Sequence, residues 1–382
     1  MQIRNLILYS FLFLGLSFLV SSCVKDEGGT TSQTYTDEDY QVLSAKLKLP
    51  NATIEYLEVD LPAHMESSGF SIAGGNIENH GATLGRVLFY ETRLSKNNAV
   101  SCASCHAQAN GFADPVALSK GFDDQDTKRN TLALGNVRFY YHDRGFMWDE
   151  RAESVEDQTR QTVTDHIEMG MDNWAEVVDK LRNEAFYEIL FKKAYGSTEI
   201  TEERLQKALS MFVRSLISKG SKFDEAMVNS NLTFLSGSPE LVGYTDSENA
   251  GLGLYMDNCR SCHGNILFLG QSSANNGLDL NYADEGIGAL TNDSNQNGVF
   301  KVPFMRNIAM TAPYMHDGRF ETLEEVIEHY STGIKSHSNL DNKLPAGGFD
   351  FTATEKENLV DFLHTLSDHE MAAEERYSNP FK

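Results

Sequence analysis

The sequence predicts a mainly α-helical protein built as two similar halves packed around an interface, and three observations carry that prediction. A five-residue pattern, Cys-x-x-Cys-His, occurs twice and far apart, as Cys102-Ala103-Ser104-Cys105-His106 and as Cys259-Arg260-Ser261-Cys262-His263. A segment with helical apolar spacing precedes each one, Ala82 to Tyr90 and Ala250 to Tyr255, which makes a weak internal repeat. No long stretch alternates apolar and polar residues as a half-buried strand does. A chain of 382 residues has room for two such units and for extensions around them.

The repeated pattern also carries chemistry. Two thiols at this spacing can add to the vinyl groups of one heme, and the adjacent histidine is placed to bind its iron, which is c-type attachment. Two covalent heme c groups are therefore expected, one on Cys102, Cys105 and His106 and one on Cys259, Cys262 and His263. Zinc sites and disulfides use Cys-x-x-Cys as well. Zinc ribbons rarely follow both pairs with histidine, however, and the fifth cysteine sits at the N-terminus, where it cannot complete a ligand set. Each half thus reads as a cytochrome c-like heme domain: a helix, a heme loop, then further helices.

Along the chain, the first element is a leader. Arg4 precedes an apolar stretch from Leu6 to Val20, short for a membrane span, and Val20-Ser21-Ser22-Cys23 looks like a bacterial lipobox. Residues 1–22 are expected to be a lipoprotein signal peptide, with Cys23 the lipidated first residue. An uncleaved membrane anchor is the alternative reading. Both put the body outside the inner membrane, where c-type heme is attached, so the expected location is extracytoplasmic, lipid-anchored to the outer membrane and facing the periplasm or the cell surface. Val24-Lys25-Asp26-Glu27 resembles a surface-export signal of bacterial lipoproteins.

Residues 23–75 read as a lipid-anchored tether and N-terminal extension. From Asp26 to about Asp39 they are rich in Gly, Thr, Ser and acids and poor in apolar side chains that could pack. The two heme domains are expected at 76–240 and 241–382. In the first, Leu205, Leu209, Phe212, Val213, Leu216 and Ile217 follow helical spacing behind the acidic start Glu202-Glu203; this helix is expected to cross toward the second domain, with Met211 and Phe212 as core. In the second, Thr245 with Glu248 and Thr322 with Glu325 form possible capping boxes, and Glu355 to Leu366 makes a further helix. Net charge is −23 with lysines and arginines scattered, which argues against nucleic acid and for solubility or a basic partner.

From about Gly81 to Leu366 the chain resembles the bacterial diheme cytochrome c peroxidase family, which includes the MauG enzymes that oxidise a protein substrate. The match lies in Leu84-Gly85-Arg86-Val87-Leu88-Phe89, Arg129-Asn130-Thr131, Trp148-Asp149-Glu150-Arg151-Ala152 and Glu168-Met169-Gly170. It continues through Lys301-Val302-Pro303 and Ala312-Pro313-Tyr314-Met315-His316-Asp317-Gly318.

The resemblance implies unequal hemes, the N-terminal one peroxidatic and the C-terminal one an electron relay. A peroxidatic iron needs an open position and a nearby group to move a proton. Glu168 matches the family's distal glutamate, where an arbitrary glutamate would be a solvated carboxylate, and Gln158 falls at a glutamine position near the same pocket. Many members block this iron with a loop histidine until the second heme is reduced. Here that position is Phe122, so the N-terminal heme is expected to be open as isolated; His142 and His166 are the nearby histidines that could replace the blocking one. Thr162 stands where the family often has a distal proline. Opposite His263 the family position holds Tyr330, the residue type that ligates in MauG, with Met315 and His329 as rivals. Trp148 is the family's tryptophan between the hemes, expected to shorten the electron path or simply to pack. The resemblance also assigns one calcium ion to the Asn130 side chain and the carbonyls of Thr311 and Pro313, although Asn130 could equally cap a turn.

The leading expectation is a peroxidase that reduces hydrogen peroxide to water with electrons from a cytochrome or other extracytoplasmic redox protein. A MauG-like enzyme that oxidises a partner protein and a non-enzymatic diheme electron carrier are the alternatives. Many relatives dimerise, so a homodimer is possible.

Overall fold

The computed structural model describes residues 34–57, 60–66, 76–140, 145–264, 267–270 and 272–382. The signal peptide, Cys23, the export-like Lys25-Asp26-Glu27 and His142 lie outside the described residues. Fifteen α-helices run in chain order through the described residues. They are α1 (Asp37–Lys46), α2 (Ala63–Glu66), α3 (Asn79–Phe89), α4 (Cys102–Cys105), α5 (Val155–Thr164), α6 (Trp174–Leu181), α7 (Ala185–Tyr195) and α8 (Glu202–Ser215). After these come α9 (Lys222–Asn229), α10 (Asp246–Asn258), α11 (Arg260–His263), α12 (Ile287–Thr291), α13 (Leu323–Glu328), α14 (Ala353–His364) and α15 (His369–Ala373). The two-residue strands β1 (Ser273–Ala274) and β2 (Phe300–Lys301) pair antiparallel, Ser273 opposite Lys301.

Both sequence-predicted capping boxes form. Thr245 accepts from the Glu248 amide at the start of α10, and Thr322 accepts from the Glu325 amide at the start of α13, each glutamate reaching back. Satisfying these otherwise orphaned amides fixes where each helix begins.

The repeat is physical. In the first half α3 crosses α8 so closely that a Cβ on Gly85 would sit 1.9 Å from the Ala208 carbonyl oxygen and 2.8 Å from the Phe212 Cβ. In the second half α10 crosses α14 in the same manner: a Cβ on Gly251 would meet the Asn358 carbonyl at 1.9 Å and the Phe362 Cβ at 2.7 Å. Four residues after each glycine an aromatic ring packs on that partner, Phe89 on Phe212 and Tyr255 on Phe362, both at 5.2 Å. Only glycine admits such backbone approach.

Helix α8 differs from its expectation. It does not cross toward the second half but lies inside the first core, with Leu205 and everything from Ala208 to Ser215 buried, Met211 and Phe212 among them. Tyr35, Leu43, Leu47, Leu49 and Tyr56 from the extension join that core, and so do Met371 and Tyr377 from the C-terminal end. Helix α1 is capped by Thr36, so helical structure starts inside the stretch expected to be a tether. The extension meets the C-terminal end of the chain where Leu47 bridges Phe381. The second core begins at Phe223 on α9 and runs to Leu366.

Ion pairs and backbone bonds join the halves. Arg129 pairs with Asp149 at 2.7 Å and with Asp284 at 2.6 Å, the Lys301 amide donates to the Trp148 carbonyl at 2.8 Å, and the Asn130 amide donates to the His316 carbonyl at 2.8 Å.

Candidate functional site

Both Cys-x-x-Cys-His motifs present the same ligand geometry. In neither motif are the two cysteines joined in a disulfide. Helix α4 is held by Ser101, whose amide donates to Ser104 Oγ at 3.0 Å, and His106 follows directly. His106 Nδ1 donates to the Phe112 carbonyl at 2.9 Å. Burial lowers the imidazole pKa to about 4, against a smaller opposing effect of that hydrogen bond. His263 Nδ1 donates to the Pro303 carbonyl at 3.0 Å, and burial likewise pushes its pKa down. In each case the ring is neutral with Nδ1 engaged, which leaves Nε2 as the free ligand nitrogen, the arrangement a heme-binding histidine needs. The Phe112 carbonyl is aimed by a tight turn in which Phe112 has φ +63°, a strained value for a large side chain, held by packing of its ring on Phe89 and Tyr377.

Around the second motif the protein forms an apolar cavity that opens to solvent. Cys259, Cys262 and His263 line it together with Tyr255, Val302, Ile308, Ile327, Leu359 and Leu363, a lining suited to a porphyrin face. Tyr330 lines the same cavity, on a π turn spanning His329–Gly333. Such bulges re-aim a side chain and recur at functional sites. Burial pushes the Tyr330 phenol up to about 12, with the two thiols adding to the rise and a hydrogen bond to the Asn276 side chain opposing it. A phenolate there needs a cationic partner, which a ferric iron would provide. Of the rivals, Met315 also lines the cavity, and its sulfur accepts from Asn276 Nδ2 at 3.5 Å. The His329 Nε2 instead contacts the Asn276 carbonyl at 3.1 Å, away from the cavity lining.

At the first motif the structure brings Glu168 within electrostatic reach of both Cys102 and Cys105. Its loop is folded by Asp165, whose carboxylate accepts from the Ile167 and Glu168 amides at 2.8 and 3.1 Å. Burial and then the Asp165 charge raise the Glu168 pKa, while a hydrogen bond from Thr162 and the charges of Arg151 and Lys128 oppose the rise. Gln158 Nε2 donates to Thr162 Oγ1 at 2.9 Å. Gln158 therefore reaches Glu168 through Thr162, since the hydroxyl that accepts from one can donate to the other. Phe122 packs its ring on the backbone of Gly170, and its amide donates to the Glu168 carbonyl at 2.9 Å. His166 is exposed.

Trp148 is 9 % exposed and lines the second cavity although its chain segment belongs to the first half. Its Nε1 donates to the Asn130 carbonyl at 2.8 Å. Its ring meets Phe300 and His316 edge-on at 6.5 Å each, and those two stack on one another at 3.9 Å. The Asn130 side-chain amide donates to the Val116 and Ala117 carbonyls at 3.3 and 3.1 Å. Among the described residues no cluster of three or more acidic, histidine or cysteine side chains could hold a metal, so a calcium ion near Asn130, Thr311 and Pro313 would rest on amide and carbonyl oxygens. Sequence reasoning missed Asn276, which contacts Tyr330, Met315 and His329 alike, and gave Thr162 no role.

A protein with two such motifs, one lining an apolar cavity and one within electrostatic reach of a half-buried carboxyl group, is a diheme c-type cytochrome by class. A family profile described as di-haem cytochrome c peroxidase matches residues 79–231. The cytochrome c551 peroxidase of Nitrosomonas europaea is 31% identical over 290 residues, 72% of this chain and 83% of that protein. The methylamine utilization protein MauG of Methylorubrum extorquens is 29% identical over 370 residues, 96% of this chain and 95% of that protein. A solved MauG-like protein associated with microbial copper homeostasis superposes with TM-score 0.71 at 30% identity, over 80% of this chain and 94% of that one. The chain belongs to the diheme cytochrome c peroxidase and MauG family.

Proposed function

We propose that the protein is a peroxidase that reduces hydrogen peroxide to two molecules of water, taking two electrons from a cytochrome or other extracytoplasmic redox protein and two protons from the medium. The observation that carries this reading is Glu168, a half-buried carboxyl with a raised pKa, linked through Thr162 to Gln158 and within electrostatic reach of Cys102 and Cys105. Heme, held at Cys102, Cys105 and His106 and again at Cys259, Cys262 and His263, supplies redox iron for peroxide and for the incoming electrons. Glu168 takes a proton from one peroxide oxygen and returns it to the other, so that the departing oxygen leaves as water. The raised pKa brings the carboxyl nearer the pH at which one group can both accept and donate. Phe122, an apolar ring where many relatives carry a ligating histidine, supports a first heme that reacts without prior reduction. Tyr330 opposite His263 supports a low-potential second heme, because a phenolate favours ferric iron.

Glutamine at position 168 keeps the shape of the side chain and removes the acid. Steady-state peroxide turnover with a reduced small cytochrome is expected to fall by about 10²- to 10⁴-fold in Glu168→Gln, with heme content unchanged. Native turnover in the variant would sink the assignment. Phe122 and Tyr330 also favour a second reading, MauG-like oxidation of residues on a partner protein. That enzyme would show weak cytochrome-dependent turnover and long-lived oxidised hemes after peroxide. No reaction with peroxide at all would leave a diheme electron carrier.

We place the protein outside the inner membrane, lipidated on Cys23 and anchored to the outer membrane. Cys23→Ser is expected to abolish fatty-acid labelling and release the protein from membranes; retention of the label would refute the lipobox. A calcium ion near Asn130 and a homodimer complete the proposal, to be checked by metal analysis after chelation and by the mass in solution.

A further inference from the structure

We propose that His64, in the N-terminal extension, is a positioning residue for the second heme, acting through Asp224 and Arg306 on the backbone that orients His263. The inference rests on the reading that His263 holds that heme.

His64 lies outside the stretch 79–231 matched by the family profile, on the short helix α2 that packs on α9. It is fully buried, and its Nε2 lies 2.9 Å from Asp224 Oδ1. A carboxylate only accepts, so the imidazole donates. The same carboxylate takes Arg306 in a two-pronged pair, Nη2 to Oδ1 at 2.7 Å and Nη1 to Oδ2 at 2.8 Å, and Oδ2 also accepts from the Ser221 amide and hydroxyl at 3.0 and 2.7 Å. Burial alone would raise the Asp224 acid, but the Arg306 guanidinium, His64 and Ser221 outweigh it and hold the carboxyl well below its usual range. In such a buried charge pair every lone pair counts, because an acceptor that loses its donor there has no solvent to replace it.

Arg306 stands three residues from Pro303, whose carbonyl accepts the His263 Nδ1 proton. A second route reaches the same segment. The His64 ring meets Phe223 edge-on at 6.0 Å, Phe223 meets Phe268 at 4.8 Å, and the Phe268 carbonyl accepts from the Met305 amide at 2.8 Å. The extension therefore grips the 303–306 segment from two sides. The bond from Nδ1 to a fixed carbonyl makes the imidazole a stronger donor to iron and favours the ferric state. With His64 unable to donate, the segment loosens, that bond weakens, and the reduction potential of the second heme rises.

The test is spectroelectrochemical titration and ferric EPR of the full heme-loaded protein as wild type, His64→Phe and His64→Gln. Phenylalanine keeps the packing on Phe223 and removes the donor; glutamine keeps a donor at similar reach. The expected result is a higher potential and shifted low-spin g values for the second heme in His64→Phe, an unchanged first heme, and near wild-type values in His64→Gln. A native second-heme potential in His64→Phe, or equal shifts in both hemes, would overturn the proposal. A wild type with only one heme c would instead overturn the assignment of His263, on which the proposal stands.

Discussion

Thr162 hydrogen-bonds the carboxyl group of Glu168 from one turn further along α5 than Gln158, which donates to the same hydroxyl at 2.9 Å. The proline that the family resemblance leads one to expect at this position would have no hydroxyl to offer. In this chain the hydroxyl makes the link between an amide on the helix and the acid on the following loop. Glu168 is thus held by its own backbone through Asp165 and by its carboxyl through Thr162, two independent restraints on one proton-moving group.

The pH dependence of turnover follows from that bond. Glu168 must start ionised to accept the peroxide proton, so activity falls as pH drops through its pKa. Burial and Asp165 raise that pKa and the Thr162 hydrogen bond lowers it. Thr162→Val keeps the shape and removes the hydrogen bond, so the pKa rises further and the acid limb of the kcat/KM profile moves to higher pH. Thr162→Ser is expected to restore the limb. An acid limb unmoved in the valine variant would show that the hydroxyl does not act on Glu168.

The second heme offers a ligand exchange. Tyr330 and Met315 both line the cavity with His263, and both contact the Asn276 side chain. Tyr330→Met is expected to abolish the phenolate-to-iron absorption band and raise the reduction potential of this heme, since a thioether stabilises ferric iron less than a phenolate does. Faster reduction by a high-potential cytochrome should accompany the change. An absorption and resonance Raman spectrum identical to the wild type would mean that Met315 already holds the position.

What could be read in the sequence follows the range of the interactions involved. The heme motifs, the capping boxes at Thr245 and Thr322 and the helical spacing of α3, α10 and α14 are local, and each appears where expected. Glu168, Phe122 and Tyr330 were singled out only through family resemblance, because nothing in their neighbours in sequence marks a pocket. Contacts across long separations were not legible. Helix α8 carries an amphipathic pattern that fits any buried helix, and what ties it to α3 is the close approach of Gly85 to Ala208 together with the packing of Phe89 on Phe212, pairs far apart in sequence. The extension is polar enough to read as a tether, yet Leu43, Leu47 and Tyr56 find partners in the first core and His64 finds Asp224 in the second half. The π turn at Tyr330 has no sequence signature, although it helps set where that side chain points.

Trp148 tests whether the route between the halves runs through aromatic side chains. Its ring lines the second cavity, packs on Phe300 and His316, and is pinned by the bond from Nε1 to the Asn130 carbonyl, so its orientation is fixed from both halves. Phenylalanine at this position keeps an apolar ring against Phe300 but loses the hydrogen bond and the readily oxidised indole. Trp148→Phe is therefore expected to retain both hemes and a native ferric spectrum while electron exchange between the hemes slows, as read by stopped-flow absorbance after one equivalent of peroxide. A loss of heme or a broad fall in thermal stability would assign the residue to packing. Unchanged exchange kinetics in a stable variant would place the electron path elsewhere, and the stacked pair Phe300 and His316, 3.9 Å apart on the same wall, would be the next residues to vary.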